Sequence, residues 1–356
     1  MWLRHRLGGA RTSHRERLRY DCNDAPVQVT VLVPTYKRPD SLLSCLTALL
    51  DQQTPPDEVV VVARRDDASS RLLMARFTTE RIRLVLVDVH AGEPGLVVAL
   101  NAGLAASLGD IVCLTDDDAV AHPDWISQII AAFRADPLLG AVGGRDWLYY
   151  DGKAEGGAAP LVGTMSWYGR RVGNHHLGVG AARDVAVLKG VNLAVRGDLL
   201  RAIGFDTRLQ GRPTEHHWEL GLCLRLLRQG YRVVYNPAIV VQHNVQPRVD
   251  EDRVFRPNQI RASAHNETLA LLDHLSLPGR VTHLFLAAVL GTSSAPGVVR
   301  AGVSLIRPGG TSCLRYLGAN LSGRRSAVIE YRRAHRARTH RTPAFTATGA
   351  EKRRPR

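Results

Sequence analysis

Asp110-Ile111-Val112-Cys113-Leu114-Thr115-Asp116-Asp117-Asp118 is a short apolar run that stops abruptly at three carboxylates. Such a run reads as a buried β-strand that delivers negative charge to one edge of a sheet. Three adjacent acids repel one another, so a folded chain either leaves them in a solvated loop or gives them a cation. An isolated charge run is usually a solvated face. The segments around it decide between the two.

Upstream, residues 27–33 are rich in β-branched side chains and wholly apolar in their last three positions, as expected of a strand covered on both faces. They run into Pro34-Thr35-Tyr36-Lys37-Arg38-Pro39. A helix follows over 41–52, with Asp40 as its expected cap and Leu42, Leu43, Leu46, Leu49 and Leu50 along one face. Pro55 and Pro56 close the unit. Residues 58–63 read as a second strand running into Arg64-Arg65-Asp66-Asp67. A helix near 69–77, a third strand over 82–87, a turn-rich segment at 92–95 and a helix over 96–107 lead to the opening stretch. Strands alternating with helices through short connections predict an α/β fold whose mostly parallel sheet carries helices on both faces. Ligands of such sheets bind beyond the carboxyl ends of the strands, so 34–38, 64–67, 88–95 and 116–118 must line that edge.

Downstream, a helix opens near Pro123-Asp124-Trp125-Ile126 and runs to Arg134. Residues 143–188, rich in Gly and aromatics, read as mostly irregular with a strand or two. A strand is expected over 189–195 and a helix from Trp218, whose Leu220, Cys223, Leu224 and Leu227 share a face and which Gly230 ends. Strands over 231–235 and 238–241 then lead to His243. Residues 258–275 look helical. The apolar segment 281–306 is interrupted by Thr292, Ser293, Ser294, Pro296 and Arg300, short of the roughly 20 clean residues that a spanning helix needs.

The chain has 356 residues and a formal net charge of +14, of which residues 1–27 supply +3 and residues 324–356 supply +9. The body is therefore nearly neutral, and the basic character belongs to the ends, which are expected to lack fixed structure. Such ends suit anionic membrane surfaces, nucleic acid or acidic polymers. The five cysteines form no C-x-x-C pair, so neither zinc nor a disulfide framework is expected, and a reducing, cytoplasmic setting is the simpler one. No apolar run follows the N-terminal charges, so no secretory signal is expected.

The order of segments resembles the inverting family 2 glycosyltransferases of the GT-A fold. The matching pieces are Val31-Leu32-Val33-Pro34-Thr35-Tyr36-Lys37-Arg38, Asn101-Ala102-Gly103, Thr115-Asp116-Asp117-Asp118, Gly190-Val191-Asn192, and Glu219 through Gly230 with Asn236-Pro237. None is specific alone; five in order are. The resemblance covers a GT-A domain (27–245), and composition sets apart a basic N-terminal arm (1–26), a helical, membrane-associating extension (246–323) and an Arg-rich tail (324–356). The resemblance also implies transfer of a sugar from a nucleotide sugar to a glycan or lipid-linked acceptor in cell-surface glycan or glycolipid synthesis, and the basic ends with the apolar 281–306 segment suit docking at the inner face of the cell membrane.

Transfer from a nucleotide sugar expels a nucleoside diphosphate, whose growing negative charge a Mn²⁺ or Mg²⁺ ion can stabilise. The resemblance assigns that cation to Asp116 and Asp118. Residues two apart on an extended strand face the same way, which favours this pair and leaves Asp117 to the sugar or ribose. His243 is a further candidate ligand for the metal or a phosphate. The acceptor hydroxyl needs a carboxylate base. The family's usual Glu-Asp falls here on Trp218-Glu219, so Glu219 is the expected base, with Glu215 as the alternative. Pro34, Thr35, Tyr36 and Arg38 are expected to border the nucleotide, Asp66 or Asp67 to meet the base, and Asn101 to contact base or ribose. Two other classes remain open. A nucleotidyltransferase is disfavoured because no Gly-rich, basic loop follows the first strand. A nucleic-acid-binding protein is disfavoured because the body is nearly neutral.

Overall fold

The computed structural model describes residues 26–90, 95–150, 152–246, 257–292, 295–305 and 312–339. The N-terminal arm, most of the 92–95 turn and the tail beyond 339 lie outside the described residues. The chain opens with β1 (Val29–Thr35), α1 (Pro39–Leu50), β2 (Glu58–Arg64), α2 (Ala68–Arg76), β3 (Arg83–Val89), α3 (Leu96–Ala106) and β4 (Ile111–Leu114). β1 lies between β2 and β4, β3 flanks β2, and every pairing is parallel. β4 is buried at all four positions, and β1 and β2 at all but one each, because helices cover both faces. On one face Leu42, Leu46 and Leu49 of α1 pack with Val31 and Val59; on the other, Leu100 and Leu104 of α3 pack with Leu32 and Val60. Pro39 occupies the start of α1 and Arg38 the cap position. Asp40, expected as the cap, therefore sits in the first turn.

The second half adds β5 (Ala119–Ala121), α4 (Trp125–Ala135), β6 (Leu139–Tyr150), the two-residue strands β7 (Lys153–Ala154), β8 (Thr164–Met165), β9 (Arg171–Val172) and β10 (Arg183–Asp184), then β11 (Leu193–Arg196), α5 (Gly197–Ile203), α6 (Trp218–Arg228) and β12 (Arg232–Asn244). The main sheet runs in the order β10-β12-β6-β11-β4-β1-β2-β3. β11 is antiparallel to both its neighbours, which makes the sheet mostly rather than wholly parallel.

The segment 143–188, expected to be mostly irregular with a strand or two, opens with the larger part of the twelve-residue strand β6. Gly143 and Gly144 permit close backbone approach there. A Cβ at 143 would lie 2.3 Å from the Asn192 carbonyl oxygen, and one at 144 would lie 1.8 Å from that of Ile239. The strand expected over 189–195 begins instead as a 3-10 turn, Gly190–Asn192. The two strands expected near 231–241 are one, with an irregularity between Asn236 and Val240 that accommodates Pro237.

Four helices complete the described chain: α7 (Pro257–His274), α8 (Leu277–Val289), α9 (Val298–Leu305) and α10 (Ser312–Thr339). The expectation that the Arg-rich tail from 324 lacks structure is corrected for residues 324–339, since α10 runs to Thr339 and Arg324 is 4% exposed. A buried guanidinium needs partners. Arg324 bonds to Glu267 (3.1 Å), the Thr268 hydroxyl (2.8 Å) and the Asn320 side chain (2.8 Å). Glu267 also accepts from Arg171 of β9 at 2.5 Å. This network ties α7 and α10 to the sheet domain. Among the described residues, no helix is long and apolar enough to cross a membrane.

Burial disfavours the Glu267 carboxylate, but the charges of Arg171 and Arg324 outweigh it and hold its pKa down to about 2. Burial, reinforced by the same arginines, lowers His217 to about 3 and His283 to about 4. All three act in one direction. As pH falls below 6.5 the unfolded chain protonates its histidines first, and below 4.5 it also protonates its glutamate, so the stability contributed at neutral pH is lost progressively. The share of stability contributed by this network, read in urea denaturation as the difference between the parent protein and Glu267→Gln, should be constant above pH 7 and decline as pH falls below 6.5. Glu267→Gln leaves two buried guanidinium groups short of a counter-charge and should lower stability at pH 7 by about 3–5 kcal/mol. Equal midpoints for the variant and the parent protein would remove this network from the fold's stability.

Candidate active site

The register that pairs Leu32 of β1 with Leu114 of β4 sets the residues following each strand side by side. The acid triplet thereby meets Thr35 and Arg38. Asp117 is wholly buried, accepts from the Thr35 hydroxyl at 2.7 Å and pairs with the Arg38 guanidinium. The same guanidinium donates to Asp118 Oδ2 at 2.8 Å, and the backbone N–H of Gln246 donates to that oxygen at 3.1 Å. Burial pushes Asp117 up to about 7 against the pull of Arg38. For Asp118 burial acts the same way, but His243 and Arg38 dominate and hold it down to about 2.

His243 reaches the triplet from the end of β12. Its Nε2 lies 3.3 Å from Asp118 Oδ1 and 4.0 Å from Asp116 Oδ2. Burial opposes its charging, yet contact with Asp118 and the charge of Asp116 raise its pKa above 6.5. Asp116, Asp118 and His243 each offer a ligand atom within 4.8 Å of the others. Asp118 Oδ1 is buried and makes no well-aligned hydrogen bond among the described residues, although His243 Nε2 stands 3.3 Å away. A buried carboxylate oxygen beside a second carboxylate and an imidazole fits a divalent cation.

The two carboxylates considered as bases are differently placed. Glu215 Oε2 accepts from the backbone N–H groups of Leu96 (2.8 Å) and Val97 (3.3 Å), and so caps α3, whose own cap residue, Gly95, has no side chain. Glu219 lies in the first turn of α6 and, among the described residues, makes one long hydrogen bond, from the Gly190 N–H at 3.4 Å. Its removal from water raises its pKa, and Asp116 adds to the shift. Trp218, at the position where the resembled family carries Glu, packs edge-on against Phe205 with ring centres 5.4 Å apart. A Cβ at Gly190 would strike the Trp218 ring at 2.3 Å, so only glycine lets α6 present Glu219 here.

A cavity of about 510 Å³ joins these groups, lined by Arg38, Asp116, Asp118, His243, Glu215 and Glu219 among others. A smaller cleft of about 70 Å³ borders Pro34, Thr35, Tyr36 and Arg64. There the Arg64 guanidinium lies 3.6 Å from the Tyr36 ring centre, and Asp66 accepts from the Tyr36 hydroxyl at 3.0 Å. Asp67 is wholly buried, capping α2 through Ser70 and holding the Lys37 N–H at 2.5 Å. Asn101 is engaged elsewhere, donating to and accepting from the Phe205 backbone at 3.0 Å each. Asn192 is buried, accepting from the Trp125 indole at 2.9 Å and donating to the Arg145 and Ile239 carbonyls. Sequence reasoning missed Lys189, which lines the main cavity and pairs with the buried Asp146. Its position beside the Gly190-Val191-Asn192 motif was the only signal.

The family described as "Glycosyltransferase like family 2" matches residues 26–261. The glucosyl-dolichyl phosphate glucuronosyltransferase of Haloferax volcanii is 28% identical over 169 residues, 45% of this chain and 51% of that protein, so the chain spans about half of that relative's length. The mannosyltransferase PcManGT from Pyrobaculum calidifontis, solved in complex with GDP-Man and Mn²⁺, gives a TM-score of 0.51 at 19% identity, covering 89% of this chain and 92% of that one. Staphylococcal (S. aureus) TarS 1-349 in complex with UDP gives 0.52 at 15% identity, covering 86% and 92%. These likenesses establish the GT-A fold.

The buried Asp118 oxygen makes cation binding measurable without turnover. Mn²⁺ at a hundred times its Kd should stabilise the fold by about 2.7 kcal/mol. Asp118→Asn should abolish the Mn²⁺-dependent rise in Tm. A rise of equal size in the variant would place the ion elsewhere.

Proposed function

The chain belongs to the Glycosyltransferase like family 2, and on that premise we propose that it transfers a sugar from a nucleoside-diphosphate sugar to an acceptor hydroxyl, with inversion and with the help of a divalent cation. One observation carries this: the Asp116–Asp118–His243 cage and the Glu219 carboxylate open onto the same cavity. In this proposal the cleft beside Tyr36 and Arg64 takes the nucleobase and Asp116, Asp118 and His243 hold the cation. When bound, the cation offsets the negative charge that grows on the diphosphate. The imidazole ligand favours Mn²⁺ over Mg²⁺.

Arg38 keeps Asp117 neutralised and fixes the Asp118 carboxylate, so Asp117 acts as a support beneath the site rather than as a sugar contact. Glu219, with a raised pKa, takes the proton from the acceptor hydroxyl. The acceptor oxygen then forms a bond to the anomeric carbon while the bond to the diphosphate breaks and its electron pair leaves with the nucleotide. A single displacement of this kind inverts the centre. Glu215 is a positioning residue, because its carboxylate fixes the start of α3. Residues 27–245 form the catalytic unit in this proposal.

On the far side of Glu219 a second cavity of about 740 Å³ shares Lys189 and Glu219 with the first and is bordered by Arg171, Leu286 and Leu290. Its position suits the acceptor. In this proposal the acceptor is a glycan or lipid-linked and the product serves cell-surface glycan or glycolipid synthesis; the name of the Haloferax relative, which acts on a glucosyl-dolichyl phosphate, supports the lipid-linked acceptor.

Glu219→Gln should lower kcat by about 10²–10⁴-fold while leaving the Kd for the donor nearly unchanged. Because the base must be ionised, kcat of the parent enzyme should rise with pH through a limb lying above pH 4.5, the ordinary glutamate value. Normal turnover by the Gln variant would move the base elsewhere. A chelator should stop transfer, with Mn²⁺ restoring it better than Mg²⁺; full activity in chelator would exclude the cation's role.

A further inference from the structure

Helix α8 is apolar on the side it shows to water. Leu277, Val281 and Phe285, four residues apart and so on one stripe, are 70%, 61% and 63% exposed. The opposite stripe, Gly279, His283 and Ala287, is the buried one. Val298, Val299 and Val303 of α9 are each about half exposed, and α9 packs against both α8 and α10. A water-soluble surface seldom places its largest apolar side chains together in this way, and such a patch marks a contact surface.

Charge selects the occupant. Residues 277–336 hold nine arginines and one acid, Glu330. A symmetric contact with a second copy would press two strongly positive segments together. An anionic lipid surface has the opposite sign, and exposed apolar side chains enter its headgroup boundary. We infer that the α8–α9 face rests on an anionic bilayer, with Val281 and Phe285 entering the interface and the surrounding arginines meeting lipid headgroups.

The same helix lines the second cavity. Leu286, Ala287 and Leu290 form one wall of the space that reaches Lys189 and Glu219. Docking through α8 sets that space beside the bilayer, so the acceptor is an amphiphile held in the membrane that presents a hydroxyl to Glu219. The acceptor class rests on the reading of Glu219 as the base; the docking does not.

The test uses the full chain and vesicles of phosphatidylcholine with or without phosphatidylglycerol, read by co-flotation. The parent protein should bind the phosphatidylglycerol vesicles and be released by salt. Val281→Asn combined with Phe285→Asn should weaken this binding by about tenfold or more, with Tm unchanged because both side chains face water. The basic residues beyond 339 are untouched in that variant, so its loss of binding reports on α8. A second pair, Val299→Asn with Val303→Asn, should weaken binding in the same direction through α9. Equal binding of parent and both variants, or equal binding to vesicles without phosphatidylglycerol, would overturn the inference. So would a dimer, seen by light scattering without lipid, that the α8 variant dissociates. Donor hydrolysis in solution should be the same for parent and α8 variant. Absence of all transfer activity with vesicle binding intact would count against the proposed function and leave the docking standing.

Discussion

One guanidinium makes the acid-rich edge of the sheet possible. Three successive carboxylates at the end of a buried strand are mutually repulsive, and Arg38 relieves this by bridging Asp117 and Asp118. It can do so because β1 and β4 are parallel neighbours, which sets 35–38 beside 115–118. Taking Asp117 out of contention leaves Asp116 and Asp118 open to the cavity, with His243 brought up from β12. The division of the triplet into one acid held by Thr35 and Arg38 and two that line the cavity is therefore a result of strand register.

A second ionic cluster does for the C-terminal helices what Arg38 does for the triplet. Glu267 receives Arg171 from β9 and Arg324 from α10, and His217, the residue preceding α6, contacts both Arg171 and the Ser263 hydroxyl. His217 has a left-handed backbone and immediately precedes Trp218-Glu219. The attachment of α7 and α10 is thus coupled through a few polar contacts to the turn that presents Glu219. The helices beyond residue 257 are thereby joined by hydrogen bonds to the turn that precedes α6.

Much of the sheet was legible in the chain because buried parallel strands are almost purely apolar and short helices between them show a one-sided pattern. β1 to β4 and α1 to α4 fall within a few residues of where those patterns put them. The length of β6 was not legible, because Gly143 and Gly144 read as loop residues unless one knows that the Asn192 and Ile239 carbonyls approach within reach of their missing side chains. The helix over the Arg-rich segment was hidden for a related reason. A run of arginines reads as solvated, and only the fold supplies Glu267 as the partner that buries one of them.

Sequence alone determined the order of β1 to β4 and α1 to α4, the arrival of three acids at a strand end, and the presence of an isolated carboxylate at the start of α6. These are local properties, set by periodicity and by residue chemistry over a few positions. Tertiary structure decided what each polar group does. It put Asp117 beneath the site, put Asp67 and Asn101 to work holding backbone, made Glu215 a helix cap and left Glu219 with its long hydrogen bond from Gly190. Each of these roles depends on a partner at least three and as many as 119 residues away, and most on one brought near by strand register and helix packing, which no local pattern encodes.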